Sequence, residues 1–332
     1  MASGNEDGVQ AEPGPGAATP RSAVPDGGTA TWNDPVPGMP EDIAERLDAA
    51  GLDPRRVAGL AAAALAEDLA GGADVTTAAT VPAGARGSAE LVVRSAGVVA
   101  GLPVAELVFW LASDGEPVRR LPRAADGDRV AAGQPVLAVT GSVRAILTAE
   151  RTALNLLCHL SGVATLTRQW VDAVAGTKAQ IRDTRKTLPG MRALQKYAVR
   201  CGGGVNHRMS LSDAALVKDN HVVAAGSVTA AFGAVRALAP GLPLEIECDT
   251  LAQVEEALAA GADLILLDNF AVGDMELAVR LAAGRALLEA SGGLTLAGAR
   301  AVAETGVDYL AVGALTHSAP ALDIGLDLVQ AG

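Results

Sequence analysis

Lysine is scarce in this chain, and its placement points to chemistry. All four lysines, Lys178, Lys186, Lys196 and Lys218, fall between positions 178 and 218 of a 332-residue protein with formal charge −12. From Arg182 to His221 eight cations (Arg182, Arg185, Lys186, Arg192, Lys196, Arg200, Arg208, Lys218) face three acids (Asp183, Asp213, Asp219). A positive site inside an acidic protein suits a small polyanion, whose charges must be matched as water leaves. Arg185, Lys186, Arg208 and Lys218 are the candidate partners of such an anion, as against a solvated basic surface. His207 precedes Arg208 and follows Gly202-Gly203-Gly204, a run that lets the backbone approach something closely.

Carboxylates supply the other half of a site. Glu245 and Glu247 lie two apart on one apolar stretch and so face the same side of a strand. They read equally well as salt-bridge partners of nearby cations or, for Glu247 together with Asp268, as oxygen ligands for Mg²⁺ or ribose hydroxyls. Ser291-Gly292-Gly293 and the run Val312-Gly313-Ala314 to His317 offer backbone amides of the kind that hold phosphate at a helix N-terminus. No Ser/His/Asp arrangement of a nucleophile is evident.

These residues need elements to carry them. The spacing predicts strands over Ala179–Asp183, Ala214–Lys218, Leu244–Cys248, Leu264–Asp268, Ala286–Ala290 and Tyr309–Val312. Helices fall between them at Val228–Leu238, Ala252–Ala259, Asp274–Ala282 and Ala297–Glu304. Such alternation gives parallel strands joined by helical crossovers. Each strand runs into polar or Gly residues, among them Asp183-Thr184-Arg185-Lys186, Lys218, Glu247, Asp268-Asn269, Ser291 and Gly313. A barrel gathers all those ends on one face, whereas an open doubly wound sheet gathers them at one switch point. A barrel of about six strands, short of the usual eight, is the expectation.

The chain before Lys178 has a different character. Residues 1–40 are rich in Gly, Pro, Ala and Asp, without apolar periodicity, and read as a disordered extension and not a signal peptide. Helices are expected at Glu41–Ala50, Pro54–Leu69 and Val104–Leu111, with β-like runs over Ser88–Ser142. A long helix over Val143–Gly176 is expected to break near Ser161-Gly162. The loop at positions 67–76 reads either as a helix C-cap and turn or as a subunit contact. The run 126–134 resembles the tight turn of biotinyl and lipoyl carriers, but no lysine precedes Lys178, so that reading fails.

Composition excludes other classes. Half the residues are hydrophobic and 2% aromatic, so Ala, Val and Leu must build a soluble core of ample size. The acidic balance and lack of a basic face with interleaved aromatics exclude nucleic acid. The most apolar run, positions 96–112, holds Pro103 and Glu106 and is short for a bilayer, so no membrane is expected. Cys158, Cys201 and Cys248 are odd in number and lack metal-ligand spacing, as in a reduced cytoplasmic protein.

Taken together the motifs resemble the quinolinate phosphoribosyltransferase family, the carboxylating nicotinate-nucleotide pyrophosphorylases of NAD biosynthesis. The resemblance runs from about Glu41 to Leu328. It rests on EDLAGGADVTT (67–77), ERTALNLLCHLSGVAT (150–165), the whole 183–221 stretch, LLDNF (266–270), LEASGG (288–293) and VGALTHS (312–318). Met191 and Val217 depart from the pattern at apolar sites, without chemical consequence.

The resemblance implies an α/β protein in which an N-terminal α/β sandwich (41–153) precedes an incomplete parallel α/β barrel (154–318). The tail (319–332) would pack back on the first domain. It implies Mg²⁺, a homodimer, and conversion of quinolinate and PRPP to nicotinate mononucleotide, pyrophosphate and CO₂. Arg151, by its chemistry alone a surface residue, would reach into the partner's site. Thr184, Arg185, Lys186, His207, Arg208 and Lys218 would hold quinolinate and the phosphates, and Lys186, Glu247 and Asp268 would serve the chemistry. Glu247 and Asp268 would lie by ribose and metal. Ser291, Gly292, Gly293, Val312, Gly313 and Ala314 would take the 5′-phosphate, with His317 nearby. Three alternatives stand beside this: another pyridine or base phosphoribosyltransferase of the same fold, a Schiff-base aldolase using Lys218 or Lys186, and a non-catalytic sensor of phosphoribosyl ligands.

Overall fold

The structure is a computed structural model and describes residues 38–113, 115 and 118–329. The expected disordered extension, apart from its last three residues, lies outside the described residues.

The first part opens with three helices, α1 (Glu41–Ala49), α2 (Pro54–Leu69) and α3 (Val75–Thr80). Asp53 starts α2 by accepting Arg55 N at 2.9 Å, ahead of Pro54 at the first helical position. Ala70 ends it in the left-handed conformation, φ 46°, so the acidic loop does contain the expected helix cap. Next come β1 (Arg86–Val93), β2 (Gly97–Val98), α4 (Leu102–Ala112), β3 (Arg119–Pro122), β4 (Arg129–Val130) and β5 (Pro135–Ser142). Every residue of α4 from Leu102 to Phe109 is buried, including Glu106, whose charge meets Arg46 Nη1 at 2.8 Å. Desolvation of that kind is tolerated only with a partner.

The long helix α5 (Val143–Ala173) follows without interruption. The break expected at Ser161-Gly162 does not occur. Glycine stands at 162 for close packing: a Cβ there would lie 2.1 Å from the Pro320 carbonyl oxygen. Ser161 Oγ accepts Ala100 N at 3.0 Å. Both residues therefore mark where other chain segments press on the helix. Positions 153–154 lie within α5, which contacts β1 and β5 of the first part and β6 and α6 of the second.

The second part contains β6 (Gln180–Arg182), α6 (Arg192–Cys201), β7 (Ala215–Val217), α7 (Asp219–Ala225), α8 (Val228–Leu238), β8 (Leu244–Cys248) and α9 (Leu251–Ala259). It continues with β9 (Leu264–Asp268), α10 (Val272–Ala282), β10 (Leu287–Ser291), α11 (Ala299–Glu304), β11 (Tyr309–Ala311) and α12 (Ala314–His317). All six expected strands are present. The last strand, β12 (Ile324–Val329), returns to pair antiparallel with β1 and completes a four-stranded sheet in the order β12-β1-β5-β3.

The six-stranded sheet has the order β6-β11-β10-β9-β8-β7, all parallel. Strands adjacent in sequence are adjacent in space, and the first strand sits beside the last. That is the order of an incomplete barrel, broken only between β6 and β7. A doubly wound sheet would reverse at a switch point. The C-terminal strand ends therefore converge on one mouth, as the polar residues there suggested.

Candidate active site

Each strand end delivers one part of the site. On β8 all five residues are buried. Strand alternation sends Leu244, Ile246 and Cys248 one way, and Glu245 and Glu247 the other. Glu247 Oε2 lies 2.7 Å from Nζ of Lys218, which follows β7. The salt-bridge reading of Glu247 holds, and it puts carboxylate and ammonium together at the mouth.

Asp268 ends β9 and stands in register with Ser291 of β10. Burial pushes its carboxyl above the usual range, and the charges of Glu247 and Asp249 add to this while Lys218 and Lys186 oppose it. Asp268 thus shares one electrostatic field with Glu247 and both lysines. The next residue, Asn269, adopts φ 56°, a conformation asparagine tolerates better than most side chains. Its Nδ2 donates to Asp268 Oδ2 at 2.7 Å, and its backbone N–H to Ser291 O at 2.9 Å. Gly292, at φ 84°, packs so tightly on Asn269 that a Cβ would meet Oδ1 at 2.2 Å. Asn269 is a site residue that sequence reasoning missed; an Asn directly after a strand-terminal Asp was the available signal.

Thr184, Arg185 and Lys186 follow β6. Thr184 Oγ1 accepts Lys186 N at 3.0 Å. The Lys186 carbonyl accepts Thr316 Oγ1 at 2.9 Å, and its side chain lies against Gly313. Val312 N donates to Arg182 O at 2.9 Å. Ala314 begins α12, and at its end exposed His317 pairs Nδ1 with Ser318 Oγ at 2.6 Å while its ring stays close to Gly313. Lys186 and the 312–317 run are therefore one surface.

Arg185 Nε is buried with no hydrogen-bond partner, and the Arg185 charge helps to depress the Arg208 guanidinium, which burial lowers first. Two like-charged guanidiniums at a mouth, one with a buried Nε that finds no hydrogen-bond partner among the described residues, call for an anion. Arg208 itself is fixed by Nη1 donating to Ala214 O at 3.0 Å.

Behind them lies a buried cluster. His207 Nδ1 accepts Arg208 N at 2.7 Å, which leaves the proton of a neutral ring on Nε2. Nε2 lies 2.7 Å from Glu245 Oε2 and 3.7 Å from Glu289 Oε1. The short contact to Glu245 lacks hydrogen-bond alignment, so Glu245 Oε1 and Oε2 and Glu289 Oε1 are left unbonded. Burial drives His207 down to about 4 and both Glu245 and Glu289 up to about 7. His207, Glu245 and Glu289 have the ligand types and mutual closeness of a metal site. Arg182 already answers their charge: its Nη1 lies 2.6 Å from Glu289 Oε2, and its guanidinium stacks 4.7 Å from the Tyr309 ring centroid. Glu289 was also missed from sequence; a single acid inside the apolar strand LLEAS was the clue.

The eight cations do not form one anion site. Arg182 pairs with Glu289 and Lys196 with Asp183, while Arg192 and Arg200 bond to neighbouring backbone and side-chain oxygens. Arg185, Lys186, Arg208 and Lys218 remain at the mouth. Arg151 is exposed on α5 and takes no part in the contacts of these residues. Glu247 and Asp268 are oxygen donors in an anionic patch, which suits a hard cation such as Mg²⁺.

Comparison with known proteins shows the family and agrees with the fold. The family model described as quinolinate phosphoribosyl transferase, N-terminal domain, matches residues 74–161, and that of the C-terminal domain matches 163–327. The chain is 59% identical over 268 residues to the nicotinate-nucleotide pyrophosphorylase [carboxylating] of Mycobacterium leprae, covering 80% of this chain and 94% of that one. A probable enzyme of the same name from Bacillus subtilis is 42% identical, over 72% and 83% of the two chains. The solved nicotinate-nucleotide pyrophosphorylase of Francisella tularensis superposes with a TM-score of 0.79 at 36% identity, over 89% and 99%. With both of its domains matched and its mouth residues assembled on consecutive strand ends, this chain belongs to the quinolinate phosphoribosyl transferase family.

Proposed function

We propose that the protein transfers the phosphoribosyl group of PRPP to the ring nitrogen of quinolinate, releasing pyrophosphate and CO₂ and forming nicotinate mononucleotide. One observation carries this reading: the barrel mouth sets the paired guanidiniums Arg185 and Arg208 beside the carboxylates Glu247 and Asp268 and the ammoniums Lys186 and Lys218. A dicarboxylate needs the first group, and a ribosyl cation with a polyanionic leaving group needs the second.

The nitrogen lone pair attacks the anomeric carbon as the bond to pyrophosphate breaks. Positive charge grows on the sugar, where Glu247 and Asp268 stabilise a charge absent from the ground state. Lys186 and Lys218 meet the departing pyrophosphate. The positive charge of the alkylated ring nitrogen then stabilises the electron pair left on the adjacent carbon when CO₂ departs, and that pair takes up a proton. Glu247 and Asp268 are the residues that would hold Mg²⁺, which when bound neutralises phosphate charge. The amides of Ser291–Gly293 and Val312–Ala314 would hold the 5′-phosphate, beside His317.

In this reading the enzyme is a cytoplasmic homodimer in which Arg151 completes the partner's site. Its exposure on α5 supports that role. Its three cysteines are free, in keeping with a reducing compartment. Among the described residues no single helix is long and apolar enough to cross a membrane. The decisive test incubates the protein with quinolinate, PRPP and Mg²⁺ and follows nicotinate mononucleotide by chromatography. Failure to form it while another pyridine or base is ribosylated would assign a different phosphoribosyltransferase.

A further inference from the structure

The barrel's opening lies between β6 and β7, and residues 205–208 fill it. Val205 N donates to Ile181 O at 2.8 Å and Asp183 N to Val205 O at 3.2 Å, so the segment runs beside β6 through a parallel bridge at Arg182 and Val205. His207 and Arg208 follow at once. On the far side Arg208 Nη1 donates to Ala214 O, on the approach to β7. Beyond the bridge at Val205 the segment belongs to no regular element, so side chains hold His207 in place.

Three side chains do so. Asp183 and Lys196 form an ion pair in which both side chains are 0% exposed. Asp183 Oδ1 also accepts His207 N at 2.9 Å, and Lys196 Nζ also donates to His207 O at 2.8 Å. Both backbone polar groups of His207 are thus bound by one buried pair. Asn206 Nδ2 joins the two, donating to Asp183 Oδ2 at 2.5 Å and to Lys196 O at 2.9 Å. A buried ion pair is a poor source of stability compared with apolar packing. Its use here, with one of only four lysines, is explained by what it holds.

We infer that Asp183, Lys196 and Asn206 are positioning residues for the dicarboxylate substrate, acting through His207 and Arg208. The inference rests on the reading above and adds three residues to it that touch no substrate. Displacing a binding group by about 1 Å can cost about 10²-fold in rate, and among the described residues no other hydrogen bond holds the His207 backbone.

The test uses the full chain carrying Asp183→Asn together with Lys196→Met. The pair then has no net charge to strand, but an amide at 183 sets a donor against either His207 N–H or Asn206 Nδ2. Its melting temperature should fall modestly, since a buried donor then faces a donor and the His207 carbonyl loses Lys196, while the protein stays folded. Its KM for quinolinate should rise at least about tenfold, with KM for PRPP within about twofold. Asn206→Ala, at the less buried end of the network, should move the same KM by a smaller factor in the same direction. A lower melting temperature with an unmoved KM for quinolinate would make the network a stabilising device and overturn the inference. A wild-type protein that makes no nicotinate mononucleotide would instead overturn the functional reading beneath it.

Discussion

Lys218 Nζ lies 2.7 Å from Glu247 Oε2, a contact that ties the end of β7 to the end of β8. The lysine side chain is 47% exposed and the glutamate 9%. An ammonium so placed has both a counter-ion and water. A Schiff-base lysine needs the opposite, an apolar pocket or another cation close by to free its amine. In the proposed reaction the pair would supply a fixed positive charge to the leaving anion and hold a carboxylate for the sugar.

Borohydride should accordingly trap nothing on Lys218 or Lys186 when the protein is incubated with sugar phosphates bearing a carbonyl group. Lys218→Met should lower kcat/KM by about 10–10²-fold, as expected for one charge-assisted hydrogen bond of roughly 1.5–3 kcal/mol. A reduced adduct on either lysine, found by peptide mass spectrometry, would revive the aldolase reading.

The barrel was legible because period and punctuation agreed. Apolar runs ending in Asp183, Asp268 or Gly313 announce strand ends, and parallel strands in sequential order leave those ends on one mouth. What was hidden were partners from distant positions. Lys196 looked like one more cation for the anion, yet its partner Asp183 removes it from the mouth altogether. Glu289 met Arg182 across strands that adjoin β11 on either side, a relation fixed only by sheet order. Gly162 carried a helix-breaker's signature, and only the return of the chain at Pro320 shows that close approach was the reason for it.

The buried acids predict a pH effect with a definite sign. Burial raises Glu245 and Glu289 from 4.5 to about 7, and Arg182 charges Glu289 more directly. We therefore expect the pair to keep one proton near neutrality, chiefly on Glu245. A carboxyl that binds its proton more tightly when folded contributes stability in full below about pH 4.5, and that contribution is lost as pH rises through about 7. His207, lowered from 6.5 to about 4, has the opposite slope, but only below pH 6.5. Between pH 6.5 and 8 the wild type should thus lose stability, and Glu245→Gln, which mimics the protonated acid, should not. Glu289→Gln strands Arg182 and should cost about 3 kcal/mol at pH 6.5, against less than about 1 kcal/mol for Glu245→Gln. Urea titrations without added magnesium measure both; equal losses for the two variants would refute this placement of the proton.

Arg151 offers a test of a shared site. Arg151→Ala and Lys218→Ala, each impaired alone, should on mixing exceed the sum of their separate rates, because a hybrid dimer holds one site with both residues intact. Subunit exchange can be followed with differently tagged chains. Hybrids that form without any gain in rate would confine each site to one chain.

The choice of pyridine follows from Arg185 and Arg208. Among the described residues Arg185 Nε has no hydrogen-bond partner, and the Arg185 charge adds to the burial that lowers the Arg208 guanidinium. Quinolinate brings two adjacent carboxylates to this pair and nicotinate brings one. Each charge-assisted hydrogen bond is worth roughly 1.5–3 kcal/mol, and a desolvated cation left unpaired in a polar site cannot readily relax. Forgoing two such bonds costs roughly 3–6 kcal/mol, or about 10²–10⁴ in kcat/KM. Quinolinate should therefore be preferred over nicotinate by at least about a hundredfold. Arg185→Ala should reduce quinolinate turnover far more than any residual nicotinate turnover, since the smaller acid loses less with the guanidinium. Steady-state rates with both acids at saturating PRPP decide the matter. Comparable values in the wild type would mean that Arg185 and Arg208 serve phosphate instead, and the protein would then be a nicotinate-accepting phosphoribosyltransferase.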